Sequence, residues 1–274
     1  MDQRLPPLSL ADCLLPSWQI APQVRALVTT RAGGVSVAPY GAAGAAGGLN
    51  LGLHTGDAGA DVLRNRARLV ELCGAQPAWL EQVHGNTVVD ARQALRAIEA
   101  GQPNVQADAS VSDEAGVACV VMVADCMPVL LADAAGRAVG AAHAGWRGLA
   151  AGVIERTAQA VAQRAGPDAV LHAYLGPAIG AQVFEVGAEV RSAFLQAAQP
   201  AEHDATAAAF APRPEAPGKY LGDLYALARL RLARVGVHAV SGGQHCTFSE
   251  SERFYSFRRD RVTGRFAALI WIGR

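Results

Sequence analysis

The sequence predicts an α/β (α+β) fold, a single-domain α-β sandwich built on a mixed sheet, and three observations carry that reading. The chain has 274 residues, 51% hydrophobic and 18% charged, with zero net charge. That is an ordinary globular composition with enough length for a sizeable core. Short apolar runs of strand length mix with amphipathic runs of helix length, but without the strict alternation of a βαβ array. Neither an internal repeat nor a linker divides the chain, so one domain is expected over 1–274.

Taken in order, Val24 to Thr29 predicts a strand that runs into a glycine turn carrying Arg31. Residues 38–48, rich in Gly and Ala, predict a flexible loop, closed by Leu49-Asn50-Leu51-Gly52. Asp57 to Cys73 has Val62, Leu63, Val70 and Leu72 at helical spacing and predicts a helix. Pro77 to Val83 predicts a strand ending at His84-Gly85-Asn86, so His84 falls in a tight turn before a short strand at Thr87 to Val89. Ala107 to Val111 is a further short strand. Gly116 to Gly148 predicts a buried strand, a polar stop at Asp125-Cys126, a second apolar run, a third strand and a glycine-rich entry into a helix. That helix is expected from Trp146 to Arg164. Val170 to Leu175 predicts a strand and Val186 to Ala197 a helix. Residues 198–218, rich in Ala and Pro, predict a flexible surface loop. Tyr220 to Val235 is amphipathic and helical, Ser241 to Ser256 polar and irregular, and Arg265 to Ile272 a terminal strand.

Composition prunes the chemistry. No basic excess points to nucleic acid, and no charge run points to a membrane surface. No stretch reaches the roughly 18 apolar residues of a membrane span, and the N-terminus lacks a leader pattern, so a cytoplasmic protein is expected. The five cysteines are irregularly spaced with no CxxC, which is not a disulfide framework. The 24 basic side chains include one lysine, Lys219, in PGKY, so P-loop and Schiff-base chemistry are not expected.

Cys126 and His143 stand where apolar runs end, the usual place for chemistry in such folds. With His84 they form a Cys/His set suited to zinc, and three protein ligands would leave one position open for water or substrate. The same residues also suit a thiolate–imidazole pair for nucleophilic catalysis, with Asp125 orienting the histidine. Spacing alone does not separate the two. In His143-Ala144-Gly145-Trp146-Arg147-Gly148, a helix start with free amides and an arginine suits an anion, while a tight turn needing glycine explains the same residues.

The runs TTRAGGVS, NLGLHTGD, WLEQVHGNTV, ADCMPVLL, HAGWRG, LGPAIG, VFEVGAEV, KYLGDL, CTFSESERFYSFRRD and TGRFAALIWI, in that order, resemble the laccase-domain family. It is also called the polyphenol-oxidase-like or purine nucleoside phosphorylase family, and includes a peptidoglycan-editing factor. The resemblance spans about Val24 to Trp271. It implies a fold shared with a group of cysteine hydrolases and a metal site, usually zinc with copper as the other candidate, at His84, Cys126 and His143. The implied activity is phosphorolysis of adenosine, inosine and methylthioadenosine, with adenosine deamination as a second reaction. A Cys/His hydrolase editing peptidoglycan precursors, a copper-dependent phenol oxidase and a non-catalytic metal-binding protein are the rivals.

On this reading the partners are a small-molecule nucleoside and phosphate, with neither nucleic acid nor membrane. Catalysis would fall to Cys126, His143 and Asp125, the last as general acid/base. Arg31, Asn50, Gly145, Arg147 and Arg258 are the candidates for holding substrate and phosphate. A four-copper oxidase needs about ten histidines and a cysteine, and the chain has seven histidines. The sequence departs from the family in the inserted GAAGAAGG before Asn50 and in Gln244-His245 before Cys246.

Overall fold

The computed structural model describes residues 6–41 and 47–274. After a 3-10 turn at Leu10–Asp12, the elements are β1 (Cys13–Leu14), β2 (Val24–Thr29), β3 (Ala32–Ser36), α1 (Gly59–Cys73), β4 (Gln76–Ala78), β5 (Val88–Asp90), α2 (Ala91–Glu99) and β6 (Ala109–Ser112). The centre of the chain supplies β7 (Val117–Val123), β8 (Met127–Asp133), β9 (Val139–Ala144), α3 (Trp146–Ala150), α4 (Val153–Ala165) and β10 (Leu171–Leu175). Next come β11 (Glu185–Gly187), α5 (Ala188–Ala197), α6 (His203–Ala208), β12 (Phe210–Pro212) and β13 (Lys219–Gly222). The chain closes with α7 (Leu224–Arg234), β14 (Ala239–Gly242), α8 (Phe257–Asp260) and β15 (Phe266–Ile272). No helix among the described residues is long and apolar enough to cross a membrane.

The expected mixed sheet is in fact two. One has the order β1-β2-β15-β7-β4, the other β14-β10-β8-β9-β6-β5, and β11-β13-β12 form a small third sheet. Each large sheet is mostly antiparallel, with parallel pairs only at its margins: β4 on β7, β14 on β10 and β5 on β6. The two large sheets stack face to face, and helices cover the outer face of the second. The outer face of the first is covered by α1 and by Leu49 and Leu51.

Period-two alternation explains why the central strands read as unbroken apolar runs. Along β7, Val117, Cys119, Val121 and Val123 enter the core between the sheets, while Ala118, Val120 and Met122 face the α1 side. Along β8, Leu130 and Ala132 face the other sheet, and Met127, Val129 and Leu131 face the helices. With both faces covered, neither side needs polar residues.

Several expected elements change, each for a local reason. The predicted helix from Trp146 to Arg164 is broken, because Gly152 takes a left-handed φ of 88° and α4 restarts at Val153. The predicted strand from Pro77 to Val83 forms a ladder only at Gln76–Ala78, with a single parallel bridge from Glu81 to Gln106 further on. Beyond it the side chain of Gln82 substitutes for a strand backbone, donating to Met122 O (2.9 Å) and accepting from Met122 N (2.8 Å).

The segment 198–218, expected as a flexible loop, contains α6 and β12, and β12 forms a hairpin with β13 that buries Phe210. Sheet pairing is non-local, so a run of Ala and Pro carries no periodicity to announce it. The amphipathic stretch from Tyr220 starts as β13 and becomes helical only at Leu224, where Asp223 caps α7 by accepting from Ala226 N (2.9 Å). Helix α2 was not foreseen; Asp90 caps it and Ala91, Ala94 and Leu95 pack beside the inter-sheet core.

Of the expected loop 38–48, residues 42–46 lie outside the described residues. Its described flanks are packed: Tyr40 is buried and donates to Thr55 O (2.7 Å), and Gly34 N–H donates to Gly47 O (2.8 Å).

Candidate metal centre and cavity

All three expected ligands arrive at one end of the sandwich. The chain crosses from the first sheet to the second between β7 and β8, and Cys126 sits on that crossing. His143 lies on β9 opposite Pro128 of β8. His84 comes from the connection between β4 and β5. Two residues of this end have positive φ without being glycine, His84 at 61° and Asp125 at 94°. Such backbone persists only where surrounding contacts over-determine it.

Two buried carboxylates supply those contacts. Asp108, fully buried just before β6, accepts from His84 N (2.9 Å), Gly85 N (2.6 Å) and Val83 N (3.3 Å), and pairs with His143 Nδ1 (2.8 Å). Asp125 accepts from Thr247 Oγ1 (2.6 Å) through Oδ1 and from the Arg258 N–H (2.6 Å) through Oδ2. One carboxylate therefore holds the His84 turn and the other the Cys126 turn. Two glycines let the turns close on each other. A Cβ at Gly145 would lie 2.9 Å from His84 Cδ2 and 3.0 Å from Cys126 Sγ, and one at Gly148 would lie 2.6 Å from Gly85 O. The HAGWRG glycines thus serve close approach of backbone to the site; Gly145 precedes α3, and Gly148 lies within that five-residue helix.

His84, Cys126 and His143 each offer one donor atom, and these lie within 4.8 Å of one another. Cys126 Sγ is 3.7 Å from His84 Nε2, against about 3.5 Å for sulfur and nitrogen ligands on one tetrahedral zinc. The Nδ1–H of His143, donated to Asp108, leaves Nε2 free for a metal, the usual carboxylate–histidine–metal arrangement. The residues present therefore fit a bound metal ion with an open position.

The same trio is electrostatically coupled. Burial acts to raise the Cys126 thiol, but His143 and His84 outweigh it and bring it down to about 6. Burial acts to lower His143, but the Cys126 thiolate and Asp108 outweigh it and carry it up to about 9. Burial likewise works to raise Asp108, and the bonds from His143, Gly85 and His84 hold it below its ordinary value. Between about pH 6 and about pH 9 the metal-free pair is thiolate and imidazolium. Zinc binding at pH 7.5 is therefore expected to release about one proton, from His143 Nε2. Below about pH 6 a second proton, on Cys126, must also leave, so proton release rises and affinity falls. Calorimetric zinc titrations in two buffers of different ionisation enthalpy check both.

The trio opens into a cavity of about 910 Å³. Trp146, Phe184, Phe257, Leu53 and Met122 supply its apolar wall, and Arg66, Arg147, Arg258 and Arg265 reach it together with Asp125. Of the residues expected to hold substrate, Arg147 and Arg258 line it. Arg31 and Asn50 do not. Arg31 is buried elsewhere, donating to Ser251 O (2.8 Å) and Gly41 O (2.6 Å) beneath Tyr255. The fully buried Asn50 spends its amide on Thr55 and Asp57 and its oxygen on Gly52 N and Arg265 N. His245 pairs with Glu250 (3.1 Å) rather than with the trio.

Sequence reasoning missed Asp108, Arg66 and Arg265. Asp108 carried one signal, a lone carboxylate at the start of an apolar strand. The two arginines carried none, because each sits in a run of arginines that the sequence does not tell apart: Arg64, Arg66 and Arg68, and Arg258, Arg259, Arg261 and Arg265.

Comparison with known proteins gives the family. Residues 25–273 match the family model described as multi-copper polyphenol oxidoreductase laccase. A purine nucleoside phosphorylase of Pseudomonas aeruginosa is 49% identical over 259 residues, covering 94% of this chain and 98% of that protein. The purine nucleoside phosphorylase YfiH of Escherichia coli is 46% identical over 268 residues, covering 96% of this chain and 100% of its own. The crystal structure of a Neisseria meningitidis protein superposes with a TM-score of 0.84 at 46% identity, covering 96% of this chain and 100% of that one. YlmD from Geobacillus stearothermophilus superposes at 0.75 with 32% identity, covering 93% and 94%.

Proposed function

Because the chain belongs to the family described as multi-copper polyphenol oxidoreductase laccase, with relatives named purine nucleoside phosphorylases, we propose that it is a metal-dependent purine nucleoside enzyme. It cleaves adenosine, inosine and methylthioadenosine with phosphate, giving free base and ribose 1-phosphate or methylthioribose 1-phosphate, and it deaminates adenosine as a second reaction. The observation that carries this reading is the cavity itself, which brings a His-Cys-His set, an aromatic wall and four arginines into one space. A purine needs the aromatic wall, and a phosphate needs the guanidinium groups. The metal is zinc in this reading, with copper as the alternative. Zinc bound there supplies Lewis acidity at its open position.

This chain's own residues do the rest. Trp146, Phe184 and Phe257 clasp the base, and the arginines hold phosphate below the sugar. A phosphate oxygen bonds to C1′ as the C1′–N9 bond breaks and its electron pair passes to the purine, which takes up a proton. Arginines near the developing charge stabilise it at no reorganisation cost. Asp125, a residue of the cavity lining, is the proposed general acid/base. A multicopper oxidase is not supported, since the chain has seven histidines and the described residues contain one metal-capable cluster.

The zinc-loaded protein, given adenosine with and without phosphate, is expected to form ribose 1-phosphate only with phosphate and inosine without it. Absence of both products overturns the reading.

A second reading rests on the depressed Cys126 thiol beside His143 and Asp108. That arrangement also suits a cysteine hydrolase acting on a peptidoglycan precursor or another amide. It predicts hydrolysis that survives chelation and is abolished by thiol alkylation.

A further inference from the structure

None of the four cavity arginines forms an ion pair among the described residues, and Arg66 and Arg265 are the two held together at Leu51, whose N–H donates to Arg265 O (3.0 Å). Arg66 donates Nε to Leu51 O (2.9 Å), rests its guanidinium 3.9 Å from the Trp79 ring centroid and sends NH2 to Met122 Sδ (3.7 Å). Arg265 donates NH1 to Thr263 O (3.2 Å) and Gly264 O (3.0 Å). Among the described residues neither forms an ion pair, and NH1 of Arg66 and Nε and NH2 of Arg265 have no protein partner, although every other part of these groups is fixed by backbone or ring. Both line the cavity, with His54 beside them.

We propose that Arg66 and Arg265, with His54 at the rim, form a tetrahedral-oxyanion subsite whose ligand is inorganic phosphate. The inference deepens the nucleoside reading and rests on it for the choice of phosphate. A half-buried guanidinium without a carboxylate is costly unless a ligand supplies the negative charge. For some other arginines of this chain carboxylates supply that charge. Arg231 and Arg234 share Glu155, and Arg164 joins Asp90 and Asp113. Arg66 and Arg265 have no such carboxylate among the described residues.

The local chemistry agrees. Burial pulls Arg66 down to about 10, and burial also lowers Arg265. Burial lowers His54 first, and the charges of Arg265 and Arg66 lower it further, so the three share one electropositive corner. Asp125 and Cys126 act on Arg265 from the metal centre's side, so the corner adjoins that centre. Of the nearby carboxylates, Glu81 is exposed and forms no ion pair with either arginine, and two others are already engaged. Asp125 holds Thr247 and the Arg258 amide, and Asp57 holds Ser36 and Asn50.

Arg147 and Arg258 differ. Arg258 is engaged with Glu185 O (3.0 Å) and lies over Phe184, and Arg147 is exposed over the Trp146 ring. Arg147 is thus open to solvent and Arg258 is drawn to a backbone carbonyl, so the phosphate is assigned to the half-buried pair joined at Leu51, of which Arg265 also lies 5.9 Å from the Phe257 ring.

The test is calorimetric titration of the metal-loaded protein with inorganic phosphate, and separately with adenosine 5′-monophosphate. Arg66→Gln and Arg265→Gln are each expected to weaken phosphate binding about tenfold or more, while metal content and nucleoside binding without phosphate stay at wild-type levels. Arg66→Lys and Arg265→Lys keep the charge, lose the planar fork and should fall between, which serves if a glutamine variant does not fold. Tighter binding of the monophosphate than of phosphate, lost in the same variants, makes a phosphate ester the ligand and overturns the choice of inorganic phosphate. Phosphate affinity within twofold of wild type in both glutamine variants overturns the subsite, as does absence of phosphate binding at millimolar concentration. Arginine-dependent phosphate binding without nucleoside cleavage leaves the subsite standing and removes the phosphorolysis reading.

Discussion

Cys126→Ser is expected to lose the metal and the nucleoside activity together while leaving the fold intact. Serine is nearly isosteric, and the Cys126 position is only half-buried, so the crossing between β7 and β8 should close as before. What changes is the donor. A thiol brought down to about 6 is a thiolate at neutral pH, whereas a serine hydroxyl is neutral and a poor ligand for zinc. The remaining two imidazoles should bind zinc more than about 100-fold more weakly, since even outer partners of a ligand are worth 10–100-fold. Metal analysis after dialysis, with activity on adenosine, reads the result. A thermal scan separates it from unfolding: zinc at a hundred times its Kd stabilises the wild type by about 2.7 kcal/mol, and the variant should show no such gain. Full metal content in Cys126→Ser would remove the cysteine from the metal centre.

Asp108→Asn is the second large effect, and it acts without touching the metal. The carboxylate accepts from three successive backbone amides and from His143 Nδ1. An asparagine keeps one acceptor oxygen and turns an NH2 group towards donors that need an acceptor. His143 then loses the partner that fixes its tautomer, and the His84 turn loses the bonds that hold its left-handed backbone. Zinc affinity is expected to fall 10–100-fold, about the cost of losing such a partner. A positioning role makes one further demand that general destabilisation does not. With the carboxylate gone the imidazolium is less favoured, so the Cys126 thiol should titrate higher, which thiolate absorbance or the pH dependence of alkylation detects in the metal-free protein. An unchanged thiol titration alongside weaker zinc binding would mean that Asp108 matters only for folding.

These two cases mark how far the sequence could be read. Cys126 and His143 were legible because each is a lone metal-capable side chain at the end of an apolar run, and buried strands end where chemistry is placed. His84 was legible as a turn residue, and the motif resemblance joined it to the others. Asp108 was not, because its partners lie 23 to 35 residues away and it is not itself a ligand. Gly145 and Gly148 looked like an anion-binding helix start, a reading that their sequence supports as well as the observed one. Only the approach of His84, Cys126 and Gly85 gives them their role. Arg31 and Asn50 were drawn to the site by their motifs, yet both spend their polar atoms on holding loops.

The same division holds for the fold. Alternation too apolar to show on one face announced buried strands, but it could not say that β7 and β8 belong to different sheets. A strand covered on both sides has the same composition whichever sheet it joins. By itself the sequence determined that this is a mixed α/β chain with a cysteine and two histidines available for a metal, because apolar spacing and ligand chemistry are local properties. The tertiary structure alone decided that two sheets stack and that Asp108 clamps the His84 turn. It also decided that Arg66 and Arg265, not Arg31, face the cavity, because pairing, burial and charge compensation depend on residues far apart in the chain.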